Sequence, residues 1–368
     1  MIPLSRVTVT DEMKQAMLAV VDSGRFILGP ETKAFEQEMA AYLGVSFAVA
    51  VSQGTSAIQL ALMAIGIKPG DEVLVPAMTA FPTIEGVMHA GATPVFVDQD
   101  AYGCMDPDHA ASRLTSRTVG IVPVHLYGGA ADLAPLLELA ERSRLWLVED
   151  CCQAIGAMWG DRKVGSIGRA GCFSFYPSKN LTVFGDGGMV TTNDDTVAAT
   201  VRKLRDHGRS DKYTHEIVGF NLRFNDIQAA VGRRQLALIE TFTTRRREIA
   251  ARYTAGLTGI SGLALPRERP GTRMVYHLYP LRTSGRATRD ALAEHLKTAG
   301  VETGVHYPIP NHRQPAIIRL YAPRPLPASE LAADTLLSLP MFPGLTDAEA
   351  DTVISAVRSF YAAHGSGV

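Results

Sequence analysis

The feature that most constrains this chain is an alternation of short apolar runs with helix-like segments from about residue 46 to residue 210. FAVAV (47–51) leads into TSAIQLALMAIG (55–66), and EVLVP (72–76) into TIEGVMHAG and then TPVFVD (93–98). VGIVPVH (119–125), the helical DLAPLLELAERS (132–143) and LWLVED (145–150) follow. CFSFYP (172–177) and GMVTT (188–192) precede the helical DTVAATVRKLRDHG (195–208). Short apolar strands separated by helices predict an α/β fold, with a mostly parallel central sheet covered on both faces.

Beyond Asn225 an amphipathic pattern runs through IQAAVGRRQLALIETFTTRRREIAARY without a proline, predicting one long helix that bridges two parts of the molecule. RMVYHLYPLRT (273–283) reads as a strand, RDALAEHLKTAG (289–300) as a helix, and HYPIPNHRQPAIIRLYAPRPLP as a Pro-rich surface loop. A last helix covers DAEADTVISAVRSFYAAHG. The expected division is a large domain over 1–250 and a smaller α+β domain over 251–368, with the first 25 or so residues packed on the small domain.

The chain has 368 residues, 46% hydrophobic and 20% charged, with a net charge of −1. That balance gives no basic excess for nucleic acid, and no apolar run reaches the roughly 18 residues that would span a membrane. The opening MIPLSRVTVTDEMKQ has neither a charged leader nor an apolar signal core, so a cytoplasmic protein is expected. Cys104, Cys151, Cys152 and Cys172 lack a spaced framework and read as reduced thiols. Arg245, Arg246 and Arg247 read as a solvated helix face.

Three segments carry candidate chemistry. Gly54, Thr55 and Ser56 follow a strand and open a helix, where free N–H groups and hydroxyls can hold a phosphate; a plain N-cap explains them equally well. Neither a Walker lysine nor a Gly-x-Gly-x-x-Gly accompanies them. Asp150 ends a strand, where open α/β sheets bind ligands, and could pair with a protonated pyridine nitrogen while Gln153 reaches an adjacent ring oxygen. Lys179 lies past an aromatic strand in FSFYPSKNLTVFGDGGM, and an amine in an apolar or cationic setting loses its proton readily enough to attack an aldehyde. Ser174 is placed to hold a phosphate oxygen.

Together GTSAIQLAL, DEVLVPAMTAFPT, VEDCCQAIGA, FSFYPSKNL, GDGGMVTT and NLRFNDIQAAVG resemble the nucleotide-sugar aminotransferases of the DegT/StrS group. These are fold-type-I enzymes dependent on pyridoxal 5′-phosphate. The similarity extends from FILGPETKAFEQEMAAYLGV to LSLPMFPGLT, almost the whole chain. The resemblance implies that Lys179 holds the cofactor as a Schiff base and, once released, moves the proton during amino transfer. It further implies that Thr55, Ser56 and Ser174 hold the phosphate and that Phe81 stacks on the ring. Asp150 would pair with the ring nitrogen and Gln153 with the phenolic oxygen. Asn221 would reach the phosphate from a second subunit, making a homodimer part of the site.

The implied reaction takes an amino group from an amino acid, expected to be L-glutamate, through pyridoxamine 5′-phosphate to a nucleotide-linked keto-sugar. His306, Tyr307 and His312 would border the substrate, although a proline-braced loop with packed aromatics fits them as well. No carboxylate or cysteine at ligand spacing accompanies the two histidines, so no metal is expected there. His125 reads as a packed, hydrogen-bonded residue or as a neighbour of the sugar. Gly129 and the Thr182–Phe184 stretch depart from the family pattern and could alter which sugar carbon is presented. LRFND leans toward members that aminate C4 rather than C3. The alternatives are an aminotransferase for a cyclitol or other carbocyclic ketone and a sensor protein that kept the fold without the chemistry. Relatives that dehydrate sugars carry histidine in place of the Schiff-base lysine, and Lys179 argues against that activity.

Overall fold

In chain order the strands are β1 (Phe47–Val51), β2 (Glu72–Pro76), β3 (Thr93–Val97), β4 (Thr118–Ile121) and β5 (Trp146–Asp150). The short β6 (Met158–Trp159) and β7 (Arg162–Lys163) come next, then β8 (Ala170–Ser174) and β9 (Gly188–Thr192). Last come β10 (Thr272–Arg273), β11 (Tyr279–Arg282) and β12 (Leu336–Leu339). This computed structural model describes residues 1–322 and 324–364.

Seven strands make the central sheet in the order β1-β9-β8-β5-β4-β2-β3. All neighbours are parallel except β9, which runs antiparallel to both β1 and β8. The reason is the connection: β8 and β9 are joined by the 175–187 loop, without the helical crossover that parallel neighbours need. That loop carries Lys179.

The strands are largely apolar because each face meets its own layer. Val49 and Val51 pack against Ile58, Ala61 and Leu62, while Ala48 and Ala50 face Phe35 and Met39 on the other side. Each fully buried aliphatic side chain contributes on the order of 1.5–3 kcal/mol relative to exposure. The helices Gly54–Ile65 and Phe81–His89 approach closely at Gly86, where a Cβ would stand 2.8 Å from Ile58. A side chain there would force apart the two helices whose first turns face the candidate site.

Further along the chain three expectations need correction. The long helix is two, Asp226–Ala237 and Ile239–Leu257. Leu238 sits between them at φ −100°, ψ −3°, its N–H turned to Gln235 O. The break lets the first helix pack on Asp11–Ser23 and Pro30–Leu43, and the second on Asp347–His364. The predicted 273–283 strand survives only as β10 and β11, because Tyr276 at φ 45° breaks the extended line. The arginine triplet is no solvated face: Arg246 is buried and donates to Tyr276 O, His277 O and Met341 O, while Arg245 reaches Asp347 and Arg247 reaches Glu268.

The C-terminal part has a separate core of Tyr253, Tyr279, Leu292, Leu337, Phe342 and Phe360 beside the antiparallel pair β11–β12. The chain start docks there, Ile2 N donating to Gly300 O at 2.7 Å and Met341 N to Leu4 O at 3.1 Å. Among the described residues no helix is long and apolar enough to cross a membrane. All four cysteines are free thiols.

Candidate active site

A cavity of about 350 Å³ opens at the C-terminal ends of β5 and β8, beside the start of helix Gly54–Ile65. Thr55, Asp150, Gln153, Ser174 and Lys179, from three separate stretches of sequence, all line it. Convergence at strand ends follows from the sheet: parallel strands bring their carboxyl ends, and the loops after them, to one edge.

The helix start forms one end of the cavity. Its N-cap, Gln53, makes no side-chain capping bond, so first-turn N–H groups lack a side-chain acceptor. A Cβ on Gly54 would lie 2.6 Å from Ser174 Cβ and 3.2 Å from Cys152 Sγ. Glycine therefore allows the helix to begin directly against the end of β8, and Thr55 and Ser174 line the cavity beside it. An anion is the natural occupant of such a cup.

Asp150, 2% exposed, forms the floor. Its Oδ2 accepts from Thr83 Oγ1 at 2.7 Å and its Oδ1 from Cys152 N at 3.0 Å. A carboxylate has about four lone-pair positions, so acceptor capacity remains for a donor in the cavity. Lys179 is held on the β8–β9 loop by its N–H to Tyr176 O at 2.8 Å. Burial lowers its amine pKa, and the neighbouring Cys152 and Asp150 oppose that shift without cancelling it. A lowered pKa enlarges the neutral, nucleophilic fraction.

Gln153 is oriented from two sides. Its Oε1 accepts from Tyr127 N at 2.8 Å and its Nε2 donates to Tyr307 OH at 2.9 Å, leaving one amide hydrogen uncommitted by these two contacts. Tyr127 adopts φ 58°, a left-handed conformation costing roughly 1 kcal/mol, and this turn aims its N–H at Gln153. Burial pushes the Tyr307 phenol well above its ordinary range, so it stays protonated.

A pyridoxal 5′-phosphate molecule fits this donor set. It needs an amine for its aldehyde, an acceptor for its ring nitrogen, a donor near its phenolic oxygen and a cup for its phosphate. Lys179, Asp150, Gln153 and the Thr55–Ser174 helix start supply these in one cavity.

Other sequence candidates fall elsewhere. Ser56 is buried in the helix and does not line the cavity. Phe81 packs on the apolar cluster of the sheet, while its neighbours Ala80, Pro82 and Thr83 line the wall. Asn221 is exposed, bridged to Asp206, and does not line its own chain's cavity. His306 binds Ser338 Oγ through Nδ1 at 3.0 Å; burial, then the charge of Lys179, lowers its pKa to about 4.

His312 turns away from the cavity, against expectation. Asn311–Arg313 form a single 3₁₀ turn that sends successive side chains apart. Asn311 bonds Thr79 O, whereas His312 bonds Glu330 Oε1 at 3.0 Å. His125 takes the packed reading, wholly buried with Nε2 on Glu149 at 3.1 Å and Nδ1 accepting from Ala131 N at 3.0 Å. Gly129 lines a different cleft of about 510 Å³ beyond Tyr127, with Arg267, Arg269 and Arg282. Thr182 and Val183 are buried within the Lys179 loop and do not line the cavity.

The sequence reading missed Thr79, Thr83, Cys152 and Tyr176, all in the wall. Pro82 marks the helix start that carries Thr83, a signal that could have drawn notice.

The sequence profile of the "DegT/DnrJ/EryC1/StrS aminotransferase family" matches residues 7–358. The chain belongs to this family. Over 351 residues it is 44% identical to the dTDP-3-amino-3,4,6-trideoxy-alpha-D-glucose transaminase of Streptomyces venezuelae, covering 95% of this chain and 92% of that protein. It is 39% identical to the UDP-N-acetyl-3-dehydro-alpha-D-glucosamine 3-aminotransferase of Acidithiobacillus ferrooxidans, covering 95% and 93%. It is also 41% identical to the erythromycin biosynthesis sensory transduction protein EryC1 of Saccharopolyspora erythraea, covering 95% of each chain. The crystal structure of S. venezuelae DesV, in complex with a ketimine intermediate, superposes with a TM-score of 0.92 at 44% identity over 95% of this chain and 94% of that one. As a member of this aminotransferase family, the chain has the α/β fold expected from its sequence.

Proposed function

We propose that this protein is a pyridoxal-phosphate-dependent aminotransferase that moves an amino group from an amino acid, expected to be L-glutamate, to C3 of a nucleotide-linked keto-sugar. The observation that carries the reading is the convergence of Lys179, Asp150, Gln153, Ser174 and Thr55 in one cavity. The choice of C3 replaces the C4 leaning of the LRFND segment. It rests on the two transaminase relatives above, each named for nitrogen at C3.

When bound, the cofactor supplies an electron sink and carries the amino group between donor and acceptor. Lys179 Nζ would anchor it and, once released, would take the proton from the donor's α-carbon and deliver it to the cofactor carbon that carried the aldehyde. Asp150 would hold the ring nitrogen's proton, and the spare Gln153 amide hydrogen would serve the phenolic oxygen. Thr55, Ser174 and the helix start would bind the phosphate. Tyr307, held by Gln153 at 2.9 Å, would border the sugar, together with its neighbour His306. In the homodimer proposed here the partner subunit's Asn221 would complete the phosphate cup; a cytoplasmic setting accords with free thiols.

The test is a panel assay with glutamate, 3-keto and 4-keto nucleotide sugars and a cyclitol ketone. The expected product is a nucleotide-linked 3-amino sugar, with turnover lost in Lys179→Ala. Turnover of the carbocyclic ketone alone would replace the sugar reading. A protein indifferent to pyridoxal phosphate would favour a sensor, as the name of the EryC1 relative suggests for that protein.

A further inference from the structure

We propose that Thr83, braced by Thr79, is a positioning residue that fixes the Asp150 carboxylate toward the cofactor's ring nitrogen. The inference rests on the cofactor reading above and assigns a task to residues outside the sequence candidates.

The hydrogens can be placed by elimination. A carboxylate only accepts, so the single hydroxyl hydrogen of Thr83 goes to Asp150 Oδ2 across 2.7 Å. The 3.0 Å contact between the two threonine hydroxyls must then be filled from Thr79, donating to Thr83 Oγ1. The result is an ordered chain, Thr79 to Thr83 to Asp150, in which each bond polarises the next. Both threonines are 2% exposed, and both line the cavity with Asp150.

Each link is anchored in backbone. Thr79 O accepts from Asn311 Nδ2 at 2.9 Å and Ala77 O from Asn311 N at 2.8 Å, so the loop that carries Tyr307 also secures Thr79. Thr83 rides in the first turn of a helix started by Pro82 and pressed at Gly86 onto the helix that forms the phosphate cup. The other Asp150 oxygen is held by Cys152 N at 3.0 Å. With one donor on each oxygen the carboxylate plane cannot turn without losing a bond, and the remaining lone pairs keep one direction. Valine at 83 would keep the volume but free Oδ2 to rotate.

The experiment uses full-length protein and pyridoxamine 5′-phosphate, which has no aldehyde to react with Lys179, so its Kd reads noncovalent contacts alone. The second readout is the pH midpoint of the colour change of the pyridoxal-phosphate form. Thr83→Val should weaken pyridoxamine phosphate binding about tenfold and move the colour midpoint. Thr83→Ser, which keeps the hydroxyl, should return both to within about twofold of the native protein, and Thr79→Val should weaken binding only about threefold. In an Asp150→Asn background Thr83→Val should have no further effect, because its action passes through that carboxylate. The proposal is overturned if Thr83→Val leaves affinity and midpoint unchanged, if Thr83→Ser is as impaired as Thr83→Val, or if the loss persists undiminished in Asp150→Asn. A native protein that fails to bind either cofactor form refutes the site reading itself, which separates the two failures.

Discussion

Glu149 and Asp150 are consecutive carboxylates at the end of β5, and they serve opposite ends. Glu149 points into the protein interior and is fully satisfied: its two oxygens accept from Gly165 N, Ile167 N and Gly168 N at 2.7–2.8 Å and face His125 Nε2 at 3.1 Å. Four donors fill about four lone-pair positions. Burial alone would raise its pKa; His125 and the backbone amides more than offset this and hold it below the ordinary carboxylate range. Asp150 faces the cavity with one donor per oxygen and capacity to spare. One strand alternation thus separates a closed carboxylate in the interior from an open one at the cavity. Cys151 lies with His125 and Glu149, their polar atoms within 4.8 Å, in the closed group.

The largest effect expected is Lys179→Ala, which should cut turnover about a thousandfold or more in a steady-state assay while pyridoxamine phosphate still binds. Next is Glu149→Gln, which strands backbone N–H groups and His125; chemical denaturation should show a loss of about 3–5 kcal/mol, with little change in cofactor affinity of the folded fraction. Asp150→Asn should do the reverse. Turnover should fall about a hundredfold, with stability within about 1 kcal/mol of native. If Glu149→Gln impaired the chemistry more than stability, or Asp150→Asn the stability more than chemistry, the division between the two carboxylates would fail.

The smallest effect concerns pH. Burial, with the charge of Lys179, lowers the folded-state pKa of His306 to about 4 from the ordinary histidine value of about 6.5. Between those values the unfolded chain binds the proton and the folded one does not. Stability should therefore fall as pH drops from about 6.5 to 4, by on the order of 2 kcal/mol, and denaturation midpoints of His306→Gln should fall less steeply across that window.

Much of the sheet was legible because its strands are largely apolar and its helices strongly periodic. FAVAV, EVLVP and GMVTT lie at the predicted positions, since burial on both faces leaves no other use for such runs. The break at Leu238 was invisible: no glycine or proline marks it, and packing against two different helix sets decides it. β12 was missed because LLSL is too short to show a period. In the site, Asp150, Gln153, Ser174 and Lys179 were readable from strand ends and loop composition. Thr83 was not, because its value depends on facing Asp150, 67 residues away. His312 misled for the converse reason. A single turn in a proline-braced loop decides which side chain faces the cavity, and local sequence does not encode that direction.

The central claim is that Lys179 is the residue that holds the cofactor. The direct measurement is to load the protein with pyridoxal 5′-phosphate, reduce it with borohydride, digest it and map the modified lysine by mass spectrometry. One phosphopyridoxyl group on Lys179 is the predicted result, and prior addition of glutamate should prevent it. Modification of a different lysine, or none, would contradict the account.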